Sequence, residues 1–268
     1  MNSTMRKSEE RINKAFSGGK AFIPFVTCGD PDMETTERLV LAMARSGADI
    51  IELGIPFSDP VAEGPVIQMA DMRALESGTT TDRLFEMVAR IRKASSVPLV
   101  FMTYINPVFT YGKERFLERC SHVGIDGLIV PDMPFEEREE LLAPCERYGV
   151  TLISMIAPTS ERRIKAIASQ ARGFVYCVSS LGVTGMRTTL SDVAKDMVAA
   201  VKRERDIPCA IGFGISTPEQ AAHMASFSDG VIVGSAIVRL VAQYGKDSVP
   251  IVAGFTERMK RAVTGTVE

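Results

Sequence analysis

The chain has 268 residues, of which 46% are hydrophobic and 24% are charged, as in an ordinary globular protein. Its formal net charge of −2 argues against nucleic acid or an anionic membrane surface as the main partner. The five scattered cysteines include no Cys-x-x-Cys pair, residues 1–14 contain no apolar stretch like a signal peptide, and no run approaches membrane-spanning length. We therefore expect a cytoplasmic protein with reduced thiols.

Short, continuously apolar segments recur along the chain, as is typical of parallel strands covered on both faces. Segments with helical spacing separate them, for example the stripe formed by Leu84, Val88 and Ile91. Gly47 and Gly149 follow such segments as predicted helix C-caps. The predicted strands are residues 21–26, 50–53, 98–103, 127–130, 151–156, 174–178, 209–213 and 230–233.

Eight strands, each followed by a helix, indicate parallel βαβ units with right-handed crossovers. The simplest arrangement at this length is an α/β fold of one (β/α)8 TIM barrel, with a doubly wound open sheet as the alternative. We expect one domain, residues 1–268, with an extra N-terminal helix. Long loops are predicted after strand 2, over residues 55–78, and after strand 6. Pro144 predicts a kink or a late start in its helix.

Glycine-rich segments follow the seventh and eighth predicted strands, at the end of a barrel where active sites lie. The sequence GFGISTP at 212–218 follows the seventh strand, and Gly234 and Ser235 open a helix after the eighth. Glycine lets the backbone approach an anion closely, and the free amides of a helix N-terminus attract it. The pair predicts a phosphate-binding site, with simple helix capping by the serines and the threonine as the alternative.

Two glutamates are the candidate acid and base. Glu52 lies in the second predicted strand, and Glu63 follows in a loop stiffened by proline and glycine. Burial disfavours an ionised carboxylate and raises its pKa, which suits proton donation near neutral pH. The alternatives are a structural anchor for Glu52 and a solvated loop charge for Glu63. Because metal-ligand spacing, a Walker loop and a Gly-x-Ser-x-Gly elbow are absent, we expect carboxylate chemistry without metal or cofactor.

Four motifs now resemble, in order, those of the tryptophan synthase alpha subunit family. They are FVTCGDP at 25–31, ELGIPFSDP at 52–60, GVTG at 182–185 and GFGI at 212–215. The resemblance runs from about residue 5 to the C-terminus, and ELGIPFSDP is highly specific to that family. It implies a TIM barrel that cleaves indole-3-glycerol phosphate by a retro-aldol reaction to indole and glyceraldehyde 3-phosphate, in tryptophan biosynthesis.

The resemblance also implies roles for individual residues. Glu52 matches the general acid/base, and Glu63 replaces a carboxylate, normally aspartate, that stabilises positive charge at the indole nitrogen. The extra methylene moves this carboxylate by roughly 1.5 Å, and a misplacement of about 1 Å can change a rate on the order of a hundredfold. The implied substrate-binding residues are Phe22, Tyr104, Ile129, Tyr176, Thr184 and Phe213, and the implied phosphate-binding residues are Gly185, Gly214, Gly234 and Ser235.

Finally, the resemblance implies a beta subunit as partner in an α2β2 heterotetramer, contacted by Asp59, Pro60 and Asp132. Pyridoxal phosphate is expected only in that beta subunit. Two other functions stay open on the sequence. One is another phosphate-binding barrel, an isomerase or cyclase. The other is a weakly catalytic regulatory subunit that activates a beta partner, suggested by the altered carboxylate at Glu63.

Overall fold

The computed structural model describes residues 3–158, 161–178, 190–212 and 214–265. Its strands are β1 (Ala21–Thr27), β2 (Ile51–Gly54), β3 (Leu99–Met102), β4 (Gly127–Ile129), β5 (Thr151–Leu152), β6 (Ser154–Ile156), β7 (Val175–Val178), β8 (Cys209–Gly212) and β9 (Gly230–Val233). Its helices are α1 (Ser3–Ser17), α2 (Met33–Arg45), α3 (Pro65–Glu76), α4 (Thr81–Arg92), α5 (Ile105–Tyr111), α6 (Lys113–Val123), α7 (Glu139–Tyr148), α8 (Glu161–Gln170), α9 (Leu190–Glu204), α10 (Pro218–Ala225), α11 (Ser235–Tyr244) and α12 (Ser248–Thr264). Short 3-10 helices cover Phe135–Glu137 and Gly245–Asp247.

The strands form one parallel sheet in the order β5-β4-β3-β2-β1-β9-β8-β7-β6. The two edge strands, β5 and β6, are separated in the chain by Ile153 alone, so the sheet curves back on itself into a nearly closed barrel. The backbone N–H of Ile153 still donates to the carbonyl of Leu128 at 2.9 Å, which keeps the interrupted strand against β4. The predicted barrel is therefore confirmed, with its fifth strand split in two.

The strands have two apolar faces, as their sequences predict. Side chains such as Ile23, Val100 and Ile232 fill the barrel interior, whereas Val26 and Leu53 pack outward against the helices. Every residue of β1, β2, β8 and β9 is buried. This continuous burial explains why the strands are apolar throughout instead of alternating with polar residues.

Several helix predictions are confirmed. Helix α1 precedes the barrel, and Gly149 ends α7 in the left-handed conformation. Pro144 lies inside α7, which starts only at Glu139 after a 3-10 turn. One expectation needs correction: residues 55–78 are not all loop, because α3 occupies Pro65–Glu76 and leaves residues 55–64 as the loop. The predicted loop after strand 6 lies largely outside the described residues.

Candidate active site

Glu52 is a carboxylate on the inner wall of the barrel. It stands on β2 between Phe25 of β1 and Val100 of β3, and its side chain is only 1% exposed. Within the described residues, neither of its carboxylate oxygens has a hydrogen-bond partner. Burial, with a smaller contribution from the charge of Glu63, raises the pKa of Glu52 to about 8. The group is therefore mostly protonated at neutral pH and can donate a proton.

Glu63 is a second carboxylate with a raised pKa, at the end of the loop that follows β2. Burial, together with the charge of Asp132, raises its pKa to about 7, while its own backbone N–H lowers it. Its Oε2 atom is buried and has no hydrogen-bond partner among the described residues. The two carboxyl groups thus occupy unlike environments, which is the arrangement that divides acid and anion roles between two like residues.

Side chains hold the loop that carries Glu63. The backbone N–H of Ala62 donates to the hydroxyl of Tyr104 at 2.8 Å, and the ring of Tyr104 lies 5.3 Å from that of Phe57. The amide of Gln68 on α3 donates to the carbonyl of Glu63 at 2.9 Å. These contacts hold the backbone at Ala62 and at Glu63, from which the carboxylate extends.

Tyr176 on β7 lies beside the two glutamates. Burial raises the pKa of its hydroxyl well above the usual value, and the charges of Glu52 and Glu63 raise it further. A side chain at Gly212 would place its Cβ 2.5 Å from the Tyr176 hydroxyl, so glycine is required there for the ring to fit. Tyr176 does not donate a hydrogen bond to Glu52, since both oxygens of Glu52 lack a partner in the described structure.

The predicted phosphate end is built from Gly214 and the start of α11. Gly214 has a φ of +69°, and a Cβ there would meet no atom within 4 Å, so its backbone borders open space. Helix α11 begins at Ser235, after Gly234, without a hydrogen bond from a capping side chain. Helix α10 differs, because the side chains of Thr217 and Gln220 cap it. The amides at the start of α11 are therefore available to an anion.

One cavity of about 990 Å³ joins these features. It is large enough for a small phosphorylated molecule with an aromatic group. The predicted residues that line it are Glu52, Glu63, Asp132, Tyr176, Gly214, Gly234 and Ser235. The carboxylates and the predicted phosphate end therefore face one common space.

The structure corrects the prediction for Phe22. Its side chain is fully buried in the layer between sheet and helices, beside Val26 and Leu39, and it does not line the cavity. Side chains alternate along a strand, so Phe25, three residues further, faces the opposite side and lines the cavity instead. Phe25 thus has the position that the sequence analysis gave to Phe22.

Two other predicted wall residues lie next to the cavity without lining it. Ile129 belongs to the interior cluster whose members Ile153 and Ile232 do line the cavity. Tyr104 is 3% exposed and anchors the Glu63 loop, as described above. The remaining predicted site residues Phe213, Thr184 and Gly185 lie outside the described residues.

The three residues predicted to contact a partner lie near the mouth of the barrel. Asp59 is exposed, and Pro60 is partly exposed. Asp132 lines the cavity, and its Oδ1 atom accepts the backbone N–H of Ile105 at 3.0 Å. Nearby residues of the same loop and of α3 expose apolar side chains, with Val61 at 81% and Met72 at 53%.

Sequence reasoning missed two polar residues of this region. Arg239, one helical turn after Ser235 on α11, lines the cavity and brings a positive charge to it. Asp71 is buried on the inner face of α3. Arg239 follows the helical spacing from Ser235, which the sequence does reveal, and Asp71 has the helical spacing from Ile67 that the structure shows. The signal was obscured for Asp71 because α3 was taken for loop.

The described residues contain neither a membrane-spanning helix nor a metal-binding cluster of side chains. No helix is long and apolar enough to cross a membrane. No group of three or more His, Cys, Asp or Glu side chains could hold a metal ion within the part of the chain that the structure describes.

Known proteins are similar to this chain in sequence and in fold. Residues 13–264 match the family model described as tryptophan synthase alpha chain. The tryptophan synthase alpha chain of Lacticaseibacillus casei is 49% identical over 253 residues, which are 94% of this chain and 95% of that protein. The structure of tryptophan synthase subunit alpha from Legionella pneumophila aligns with a TM-score of 0.86 at 35% identity, covering 99% of this chain and 100% of that chain. A structure of tryptophan synthase from M. tuberculosis gives a TM-score of 0.85 at 33% identity, covering 94% of this chain and 99% of that chain.

The family match covers most of the chain, and the cavity is lined by motif residues, Phe25 of FVTCGDP, Glu52 of ELGIPFSDP and Gly214 of GFGI. The chain therefore belongs to the tryptophan synthase alpha chain family, the lyases of tryptophan biosynthesis that cleave indole-3-glycerol phosphate to indole and glyceraldehyde 3-phosphate.

Proposed function

We propose that Glu52 is the general acid/base of this cleavage and that Glu63 supplies the accompanying negative charge. The observation that carries the proposal is the state of Glu52: a buried carboxyl on the cavity wall with neither oxygen partnered among the described residues. Such a group makes no structural hydrogen bond with the described residues, and its pKa suits proton transfer near neutral pH. An ordinary structural anchor would have its oxygens hydrogen-bonded.

In the proposed reaction Glu52 acts twice, first as an acid and then as a base. Protonated Glu52 gives its proton to the indole carbon that carries the glycerol chain, which leaves a positive charge on the indole nitrogen. The resulting Glu52 carboxylate then takes the proton of the adjacent glycerol hydroxyl. The oxygen of that hydroxyl forms the carbonyl of glyceraldehyde 3-phosphate, the carbon–carbon bond breaks, and its electron pair returns to the ring to neutralise the nitrogen. Glu52 ends protonated, so the cycle balances.

Glu63 must be ionised for its part, because only an anion stabilises the positive indole nitrogen. Its pKa of about 7 and that of Glu52, about 8, leave a narrow range in which Glu63 is charged and Glu52 protonated. We therefore expect kcat/KM to be greatest between about pH 7 and pH 8. The rate falls on the acid side as Glu63 takes up a proton and on the alkaline side as Glu52 loses one.

The proposed substrate pose follows from the cavity. The phosphate binds at Gly214, Gly234 and Ser235, where backbone and helix dipole favour an anion. The indole lies toward the apolar wall at Phe25, with Tyr176 beside the carboxylates. Phosphate binding at one end of the cavity thus positions the reacting carbon at the other end. The motion of the substrate is restricted before the reaction begins, which lowers the entropic part of the barrier.

The proposal includes a beta subunit as partner and a cytoplasmic location, with pyridoxal phosphate bound only by the partner. The partner proposal is supported by Val61, Met69 and Met72, apolar side chains exposed on the loop and on α3. Exposed apolar groups of this kind on a soluble protein favour docking of another protein. Asp59 and Pro60, on the same loop, would connect partner binding to the position of Glu63.

The test is indole formation from indole-3-glycerol phosphate by the purified chain, with and without a beta subunit. We expect Glu52→Gln to lower kcat by about 10²- to 10⁴-fold, the usual contribution of a general acid or base. Glu63→Gln should also be impaired, and Glu63→Asp will show whether this site suits the longer side chain. Indole formation by the wild type only when a beta subunit is present would instead favour a regulatory role, and no indole under either condition would refute the lyase proposal.

A further inference from the structure

Arg239 is a cation of the cavity to which the proposed reaction gives no role. It lines the same cavity as the proposed phosphate-binding residues, and it lies one helical turn after Ser235 on α11. Residues four apart on a helix are neighbours, with about 5–6 Å between their Cβ atoms. Arg239 therefore lies beside the end of the cavity where the phosphate is proposed to bind.

Helix geometry gives the direction of the Arg239 side chain. Side chains on an α-helix point back toward its N-terminus, so a long side chain covers the turn before its own residue. The three residues between Ser235 and Arg239 are buried, whereas these two are both exposed and both line the cavity. This geometry directs the guanidinium of Arg239 along the cavity wall toward the amides at the start of α11.

Arg239 has no carboxylate partner among the described residues. Neither an ion pair nor a hydrogen bond joins its side chain to another residue in the part of the chain that the structure describes. The other arginines that line the cavity do form ion pairs. They are Arg138 with Glu139, Arg163 with Glu136, and Arg172 with Glu9 and Glu146. Within the described residues, Arg239 is thus the one arginine of the lining whose charge is not matched by an anion.

The phosphate end needs more positive charge than its backbone supplies. A phosphate monoester carries a charge of about −1.5 to −2 at pH 7. A helix N-terminus contributes only about half an elementary charge. The carboxyl groups of Glu63 and Asp132 line the same cavity and disfavour an anion when they are ionised. Arg239 supplies a full positive charge beside the helix N-terminus.

We propose that Arg239 binds the phosphate group of the substrate and makes the site selective for a phosphorylated glycerol chain. This inference rests on the proposed function, in which the phosphate binds at the start of α11. A guanidinium binds phosphate oxygens through charge-assisted hydrogen bonds, often two at once. Because Arg239 contacts the phosphate and not the reacting carbon, it contributes to substrate binding and leaves the chemical step unchanged.

The kinetic test compares Arg239→Gln with Arg258→Gln, a change at an exposed arginine of α12 that does not line the cavity. In Arg239→Gln we expect KM for indole-3-glycerol phosphate to rise about tenfold with kcat nearly unchanged, the lower end for a charged hydrogen bond because water screens an exposed group. Arg239→Lys keeps the charge without the planar fork, so its KM should be intermediate. Arg258→Gln should keep the wild-type values, and an equal KM in Arg239→Gln and the wild type would overturn the proposal.

The salt dependence of KM separates the charge of Arg239 from its packing. Salt screens the attraction between an exposed arginine and a phosphate, so the wild-type KM should rise between about 0.01 M and 1 M salt. The KM of Arg239→Gln should rise less, and the difference between the two proteins should therefore shrink. A difference that does not depend on salt would show that the side chain acts through packing alone and would overturn the proposal.

Ligand binding tests the inference without activity. Isothermal titration calorimetry should show that Arg239→Gln binds glycerol 3-phosphate, a stable analogue of the product, about tenfold more weakly than the wild type does. Indole, which has no phosphate, should bind both proteins equally. A parallel loss of indole affinity would indicate a general disturbance of the cavity and would overturn the inference.

The binding data also distinguish this inference from the proposed function. Equal affinities of the two proteins for glycerol 3-phosphate, or no binding to either, would overturn the role of Arg239 whether or not the chain makes indole. Weaker binding of glycerol 3-phosphate to Arg239→Gln, in a chain that makes no indole, would keep the role of Arg239 and refute the lyase reaction alone.

Discussion

Glu52 and Asp126 are both fully buried acidic residues of this barrel, yet their surroundings are opposite. Asp126 precedes β4, at the amino-terminal end of the strands. Arg92 donates to it at 2.7 Å, Arg11 at 2.5 Å, and the backbone N–H of Leu99 at 3.0 Å. Glu52 points into the cavity, and its oxygens have no hydrogen-bond partner among the described residues.

The difference shows how the same chemical group serves stability at one end of a barrel and reactivity at the other. Burial raises the pKa of both carboxyls, but Arg92, Arg11 and the Leu99 amide stabilise the anion of Asp126. Among the described residues no comparable donor stabilises the anion of Glu52, so it favours the protonated form. Removing Asp126 should therefore lower stability and leave the chemistry intact, whereas removing Glu52 should impair the chemistry without lowering stability at neutral pH.

The largest expected effect on stability comes from Asp126→Asn. The change leaves Arg92, with its side chain only 14% exposed, without its counter-ion. We expect a loss of about 3–5 kcal/mol in the free energy of unfolding, as for a broken buried ion pair. Urea denaturation measures it, and indole formation by the folded fraction should be unchanged.

Arg11→Met is the matched control for that prediction. Arg11 is 40% exposed, so its pair with Asp126 is screened by water and should contribute less, about 1 kcal/mol. Equal and small losses of stability in Asp126→Asn and Arg11→Met would contradict the contrast between the two carboxylates. They would mean that the folded state depends no more on the ion pairs of buried Asp126 than on those of an exposed residue.

The next largest effect is a pH-dependent gain of stability in Glu52→Gln. The folded pKa of Glu52, about 8, exceeds its ordinary value of 4.5, so the folded wild type binds the proton more tightly. Its contribution to stability is therefore complete below about pH 4.5 and is lost as the pH rises toward 8. Relative to the wild type, Glu52→Gln should gain about 3 kcal/mol between pH 4.5 and pH 7.

Thermal and urea unfolding of both proteins across this pH range measures that difference. Asp82→Asn, an exposed carboxylate bonded to Tyr111, is the control and should show no such trend. A constant difference between Glu52→Gln and the wild type would mean that Glu52 ionises equally easily in the folded and unfolded states.

The smallest expected effect is that of Tyr104→Phe. The variant keeps the ring against Phe57 but removes the hydroxyl that accepts the Ala62 N–H. One such hydrogen bond is worth about 1 kcal/mol, so we expect the free energy of unfolding to fall by about that amount, with a smaller loss of kcat than in Glu63→Gln because the loop is held less firmly. If instead KM alone rises, Tyr104 contacts the substrate as the resemblance implied, and its role is not to hold the loop.

Most of the fold could be predicted from the sequence, because strands that are buried on both faces are apolar throughout and capping residues mark the ends of helices. Because both faces of a strand are apolar, however, the sequence does not show which face points into the barrel. Phe22 and Phe25 are both apolar, and only the register of β1 against Glu52 on β2 distinguishes the outer from the inner one. Strand register depends on long-range pairing, which a single sequence does not display.

Helix α3 was hidden for a different reason. Its inner face is buried, but Met69 and Met72 on the outer face are apolar too, so the usual alternation between a polar and an apolar face is weak. The buried position of Asp71 on the inner face of α3 was therefore not predicted. The carboxylates Glu52 and Glu63, in contrast, were recognisable because each breaks an apolar or stiffened segment at a strand end, where barrels place their chemistry.

The most direct test of the contrast between Glu52 and Asp126 is to measure the ionisation of Glu52 itself. Carbon-13 NMR of the labelled side-chain carboxyls monitors it, and comparison with Glu52→Gln assigns the Glu52 resonance. A carboxyl resonance that titrates near pH 8 and disappears in the variant would confirm the unpartnered acid at the barrel mouth. A Glu52 resonance that titrates near the ordinary glutamate pKa of 4.5 would contradict it, because the group would then be a solvated anion unable to donate a proton at neutral pH.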